Sequence, residues 1–80
     1  MATAILRLPS VLNKRGRSRS AHYLDIHEGL FTPPVPIGSR AVGWPENEVD
    51  AINAARIAGK SDCEIRELVR RLVAARKVLA

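Results

Sequence analysis

The chain has one cysteine, Cys63, so no internal disulfide can form, and the thiol reads as incidental. No Cys/His cluster has metal-ligand spacing, which removes the other staple common in small domains and predicts no metal. Aromatics are scarce, with one each of Phe31, Trp44 and Tyr23. In a chain of 80 residues the first two are expected in the core, and self-association is one way to add to so small a core. No apolar run approaches a membrane span, and Met1 to Ser10 lacks the apolar stretch of a secretory signal; a cytoplasmic protein without a membrane partner is expected. There is no nucleophile elbow or phosphate-cradling loop, and the two histidines with Asp25 or Glu28 make no catalytic set. The sequence therefore predicts no enzyme, no cofactor and no small-molecule substrate.

Acidic residues are also few, and unevenly so. The net charge is +5, and Met1 to Trp44 carries six basic and two acidic residues against seven and six in Pro45 to Ala80. The excess positive charge of the first half points to a polyanionic partner.

Ile5 to Leu8 reads as an extended lead-in, with Ile5 and Leu8 free to pack inward. Pro9 suits a first helical turn and Gly16 the position past a helix end, which frames a helix over Pro9 to Arg15 with Val11 and Leu12 as its apolar contacts. Ser18 is a good N-cap for a second helix running from Arg19 to Glu28, with Gly29 ending it. Two short helices across a tight turn form the layout of a helix-turn-helix, whose second helix enters the DNA major groove. Pro33, Pro34 and Pro36 exclude a helix. Ile37 and Val42 flank turn chemistry at Gly38, Ser39 and Arg40, predicting a β-hairpin, or wing, with Arg40 near its tip. Pro45 opens a third helix running to Gly59, with Glu46 and Glu48 at its positive end. Ser61 and Glu64 form a capping box for a fourth. Its apolar stripe, Ile65, Leu68, Val69, Leu72, Val73 and Leu79, must be buried against the chain's own head, a second copy or another partner.

Together these residues resemble the AlpA family of phage and prophage transcriptional regulators. The likeness rests on Ile5, Leu6, Arg7, Leu8, Pro9 and Val11; on Gly16, Ser18, Arg19, Ser20 and Tyr23; on Gly29, Phe31, Pro33 or Pro34 and Val35; and above all on Gly38 and the run Arg40-Ala41-Val42-Gly43-Trp44 followed by Glu46, Glu48 and Val49. The resemblance covers roughly the first two-thirds of the chain. It implies a mainly α fold with a small β-hairpin, a winged helix-turn-helix of MerR-like or excisionase-like type, over residues 1–58, leaving 59–80 as a C-terminal amphipathic helical extension. The implied roles are prophage gene activation or assistance in prophage excision. Where this second helix departs from the family pattern, His22 and Asp25 stand three apart and can pair on one face.

Double-stranded DNA is the partner these readings predict. Lys14, Arg15, Arg17 and Arg19 supply a basic cluster for phosphates. Ser18 is first an N-cap and secondarily a phosphate contact. Arg19, Ser20 and His22 are placed for base edges, with Arg19 the leading candidate. Tyr23 can offer its hydroxyl to a phosphate or pack its ring, and Arg40 can reach the backbone or minor groove. The leading function is a sequence-specific regulator. The alternatives are an excisionase-like DNA-bending factor, and an interaction module working through the C-terminal helix, which also makes a homodimer conceivable.

Overall fold

The computed structural model describes residues 4–79, without the side chains of residues 78 and 79, so the expected stripe position Leu79 lies outside the described side chains. Seven elements follow one another: β1 (Ile5–Leu6), α1 (Leu8–Arg15), α2 (Arg19–His27), β2 (Val35–Pro36), β3 (Val42–Pro45), α3 (Glu46–Ile57) and α4 (Asp62–Leu79).

Local chemistry sets most helix ends. Gly16 closes α1 in the left-handed region, at φ +66°, and its N–H donates to the Leu12 carbonyl. A residue with a Cβ would be strained there. The Ser18 hydroxyl accepts from the Ala21 N–H to cap α2, so the turn between these helices is only Gly16 to Ser18. At Ser61 the expected reciprocal box is present. The Ser61 N–H donates to Glu64 Oε1 at 3.1 Å and the Glu64 N–H to Ser61 Oγ at 3.2 Å, which satisfies two otherwise unpaired donors at the start of α4.

The expected hairpin is part of a three-stranded antiparallel sheet of order β1-β3-β2. Val35 pairs with Gly43 and Pro36 with Val42 on one side of β3, and Ile5 pairs with Pro45 and Leu6 with Trp44 on the other. The lead-in is thus a strand, tied further by the Glu46 N–H donating to the Ala4 carbonyl. This register corrects the expectation for Ile5, which is 47% exposed. Side chains alternate across a sheet, so Leu6 shares the core face with Trp44 while Ile5 lies on the other.

Gly43 is needed where β1 crosses β3. A Cβ there would sit 2.5 Å from Ile5 Cγ2 and 2.9 Å from the Leu6 carbonyl oxygen. Gly43→Ala is expected to cost about 1–3 kcal/mol, the usual penalty for overpacking, and trimming Ile5 to Ala in the same chain should recover part of it. Urea denaturation measures both; an unchanged midpoint for Gly43→Ala would mean that β1 is not clamped on β3.

One core joins all the helices. Val11, Leu30, Phe31, Trp44, Val49, Ile52, Ile65 and Val69 are buried together, with Leu6, Leu8, Ile26, Ala55, Leu68, Leu72 and Val73 packed against them. The Trp44 indole N–H donates to the Thr32 carbonyl at 2.9 Å, so its polar atom enters the core satisfied. Of the α4 stripe, Ile65 and Val69 are buried in the chain's own head, and Leu68, Leu72 and Val73 pack against it partly buried. Helix α4 thus packs on the same core as the elements before it. The Arg76 guanidinium locks this arrangement by donating to both Glu48 carboxylate oxygens, at 2.8 and 2.6 Å, and to the Pro33 carbonyl.

Candidate nucleic-acid interface

Helix α2 is divided along its length. His22 and Asp25 are buried and Ile26 packs on the core, whereas Arg19, Ser20, Tyr23, Leu24 and His27 are exposed. At about 100° per residue, Ser20, Tyr23, Leu24 and His27 fall within one arc of about 100°, with Arg19 at the helix start beside it. From the C-terminal end the helix is held by Arg66 of α4, whose Nε donates to the Glu28 carbonyl at 2.9 Å.

The buried side of α2 corrects two expected DNA contacts. Arg15, whose side chain is 4% exposed, donates to Asp25 Oδ2 at 2.7 Å and to His22 Nδ1 at 2.8 Å, and its guanidinium lies 4.0 Å from the centre of the Phe31 ring. It holds the core side of the helix pair together and cannot present its charge to a phosphate. His22 is fully buried, edge-on to the Tyr23, Phe31 and Trp44 rings at 4.9–5.3 Å, so it cannot reach a base edge. Nor do His22 and Asp25 pair with each other; Arg15 joins them. Burial, and then the charge of Arg15, pull His22 down to about 4. Burial alone would push the Asp25 carboxyl up, but hydrogen bonds from Arg15 and Arg17 and their charges outweigh it and hold Asp25 below the ordinary carboxylate value.

The remaining cations differ in availability. Arg17 is half exposed but donates through Nε and Nη2 to both Asp25 oxygens, at 3.1 and 2.9 Å. Lys14 reaches across to α3 and pairs with Asp50 at 2.7 Å and Glu46 at 3.2 Å; such exposed pairs are weak and can exchange. All eight carboxylates lie within 4.0 Å of a cation. Among the described residues, Arg7, Arg19, Arg40, Arg71 and Lys77 make no ion pair. The unpaired cations of the first half are therefore Arg7, Arg19 and Arg40, while Arg15 and Arg17 at the turn share the one carboxylate of Asp25.

Arg40 is exposed in the segment joining β2 to β3, closed by the Ile37 N–H donating to the Ala41 carbonyl. Arg7 follows β1, whose antiparallel register runs toward that same end of the sheet. Sequence reasoning missed Arg7, since only the pairing of β1 brings it there. It also missed Leu24 and His27, which the helical period could have placed on the face of Ser20 and Tyr23. Tyr23 rests its ring against His22 at 5.3 Å and stays partly exposed.

Among the described residues no cluster of His, Cys, Asp and Glu could hold a metal ion, and no helix is long and apolar enough to cross a membrane.

Residues 4–57 match the family described as prophage CP4-57 regulatory protein (AlpA). An uncharacterized protein, ORF88, of Enterobacteria phage P4 is 46% identical over 55 residues, which are 69% of this chain and 62% of that protein. The chain thus spans less than two-thirds of that relative's length. No solved structure matches it. The match extends from Ala4, at the entry to β1, to the last residue of α3, and with it the chain belongs to the AlpA family of prophage regulatory proteins.

Proposed function

We propose that this protein is a phage-type regulator that binds double-stranded DNA sequence-specifically, using α1 and α2 as a helix-turn-helix and the β2–β3 turn as its wing. The observation that carries the reading is the exposed face of α2. It begins with a cation that no carboxylate neutralises, and two more, Arg7 and Arg40, stand at the end of the adjacent sheet. In a major groove, Arg19 reads a guanine edge and Ser20 and His27 lie within reach of neighbouring bases, while Tyr23 offers its hydroxyl to a phosphate. Arg40 and Arg7 hold the flanking backbone, and Ser18 is chiefly the cap that aims the helix. Lys14 and Arg17 contribute only by releasing their carboxylate partners. Helix α4 acts as the support of this reading head rather than as a contact.

Titration against fragments of the protein's own genomic neighbourhood, with unrelated competitor DNA and at two salt concentrations, tests the reading. One fragment should be preferred. Arg19→Ala should cut that preference by roughly 5- to 150-fold, the value of an Arg–guanine pair. Arg40→Ala should weaken binding to all sequences and lower the salt slope by about one. Binding that ignores sequence, or an Arg19→Ala chain with full discrimination, would overturn the assignment.

A further inference from the structure

One residue on the exposed face of α2 is explained neither by folding nor by phosphate contact. Leu24 is 54% exposed in mid-helix and is not part of the packed core. Lys, Arg, Gln and Glu have nearly the same helix propensity as Leu, so a leucine gives no advantage to a helix face that meets only water. It stands beside exposed Tyr23, one turn after Ser20 and just before His27. Tyr23 is steadied by its edge contact with buried His22.

We propose that Leu24 packs against the 5-methyl group of a thymine and makes the operator specific at that base pair; this rests on the DNA-binding reading above. Thymine alone presents a methyl group in the major groove, so a branched aliphatic side chain can recognise it by shape and by exclusion of water. The other candidates, Ser20 and His27 on this face and Arg19 beside it, recognise hydrogen-bonding edges. Leu24 adds the one base feature they cannot read. Five residues separate it from Arg19, about 7.5 Å along the helix axis, or roughly two base steps at about 3.4 Å each. The thymine should therefore lie about two base pairs from the guanine that Arg19 reads.

The test begins with selection of duplexes from a randomised pool by the full chain. Each thymine selected is then replaced singly by deoxyuridine, which removes only the methyl group, and dissociation constants are measured for the wild type and Leu24→Ala. At one position deoxyuridine should weaken the wild type about fourfold, the worth of one buried methyl. Leu24→Ala should lose a similar factor on the thymine duplex and be indifferent to deoxyuridine there, while responding as the wild type does elsewhere. Because Leu24 is outside the core, circular dichroism should show the variant folded. If no thymine is selected, if no deoxyuridine duplex is weakened, or if Leu24→Ala keeps the wild-type sensitivity, the methyl contact is wrong and the DNA-binding reading stands. If no duplex is enriched at all, both fall.

Discussion

Replacing Asp25 with alanine is expected to destabilise the protein by about 3–5 kcal/mol, enough to leave a large part of an 80-residue chain unfolded, since domains of this size are stable by roughly 4–12 kcal/mol. The reason is the company Asp25 keeps. One buried carboxylate accepts from two guanidiniums, and one of these, Arg15, is itself almost inaccessible to water. Loss of the carboxylate leaves Arg15 charged, because arginine does not release its proton in proteins, and leaves it with only a neutral imidazole and the Phe31 ring. Arg17 can turn to solvent and suffers little. A double change separates this account from simple loss of packing: Arg15→Met with Asp25→Ala removes both charges and should be less destabilised than Asp25→Ala alone. Urea unfolding of the three variants decides it. A single Asp25→Ala chain within about 1 kcal/mol of the wild type would mean that the ion cluster does not hold α1 to α2, a loss small enough to be that of an ordinary hydrogen bond.

That cluster also marks where sequence reading stopped. Interactions between residues three or four apart were legible, because helical geometry brings them together whatever surrounds them: the Ser18 cap, the Ser61–Glu64 box and the Ile65–Val69 stripe are of this kind. Gly16 announced its turn through the one backbone conformation glycine adopts cheaply. By contrast, Arg15 and Arg19 look alike in sequence, two of several cations around a turn. Only the packing of α1 on α2 puts Arg15 inside and Arg19 outside, and the side chain that decides it, Asp25, is ten residues away. The same holds for Lys14, neutralised by Glu46 and Asp50 from α3, and for β1, whose partner strand is nearly forty residues on. Charge composition located the excess in the correct half, but the long-range pairing chose which residues carry it. The α4 stripe was visible, yet periodicity states only that a face is buried and not against what.

Acidification from pH 7 to pH 4 is expected to remove about 3 kcal/mol of stability through His22 alone. Its imidazole takes up a proton near 6.5 in the unfolded chain but only at about 4 in the folded one, and each unit of difference is worth about 1.4 kcal/mol. The sign follows from proton counting: between those values the unfolded chain binds a proton that the folded chain refuses, so the loss begins as pH falls below about 6.5 and is complete near 4. The structural cause is specific. Nδ1 accepts from Arg15, so the proton of the neutral ring resides on Nε2, which has no hydrogen-bond partner and is buried among aromatic rings. Protonation would place the ring's second proton on Nδ1, the atom that Arg15 needs as an acceptor, and a second cation beside the first, away from water. Asp25, held below its ordinary value, adds its own loss only at still lower pH, where its carboxylate is neutralised. Stability measured by urea denaturation at intervals from pH 7 to pH 4 should decline across that window for the wild type. His22→Asn keeps an acceptor near the position of Nδ1 without a titrating group; it should be less stable at pH 7 because its smaller side chain leaves a void, yet nearly flat over the same range. A wild-type profile as flat as that of the variant would show that His22 has ready access to water or to a proton acceptor, and that the aromatic cage around it opens in solution.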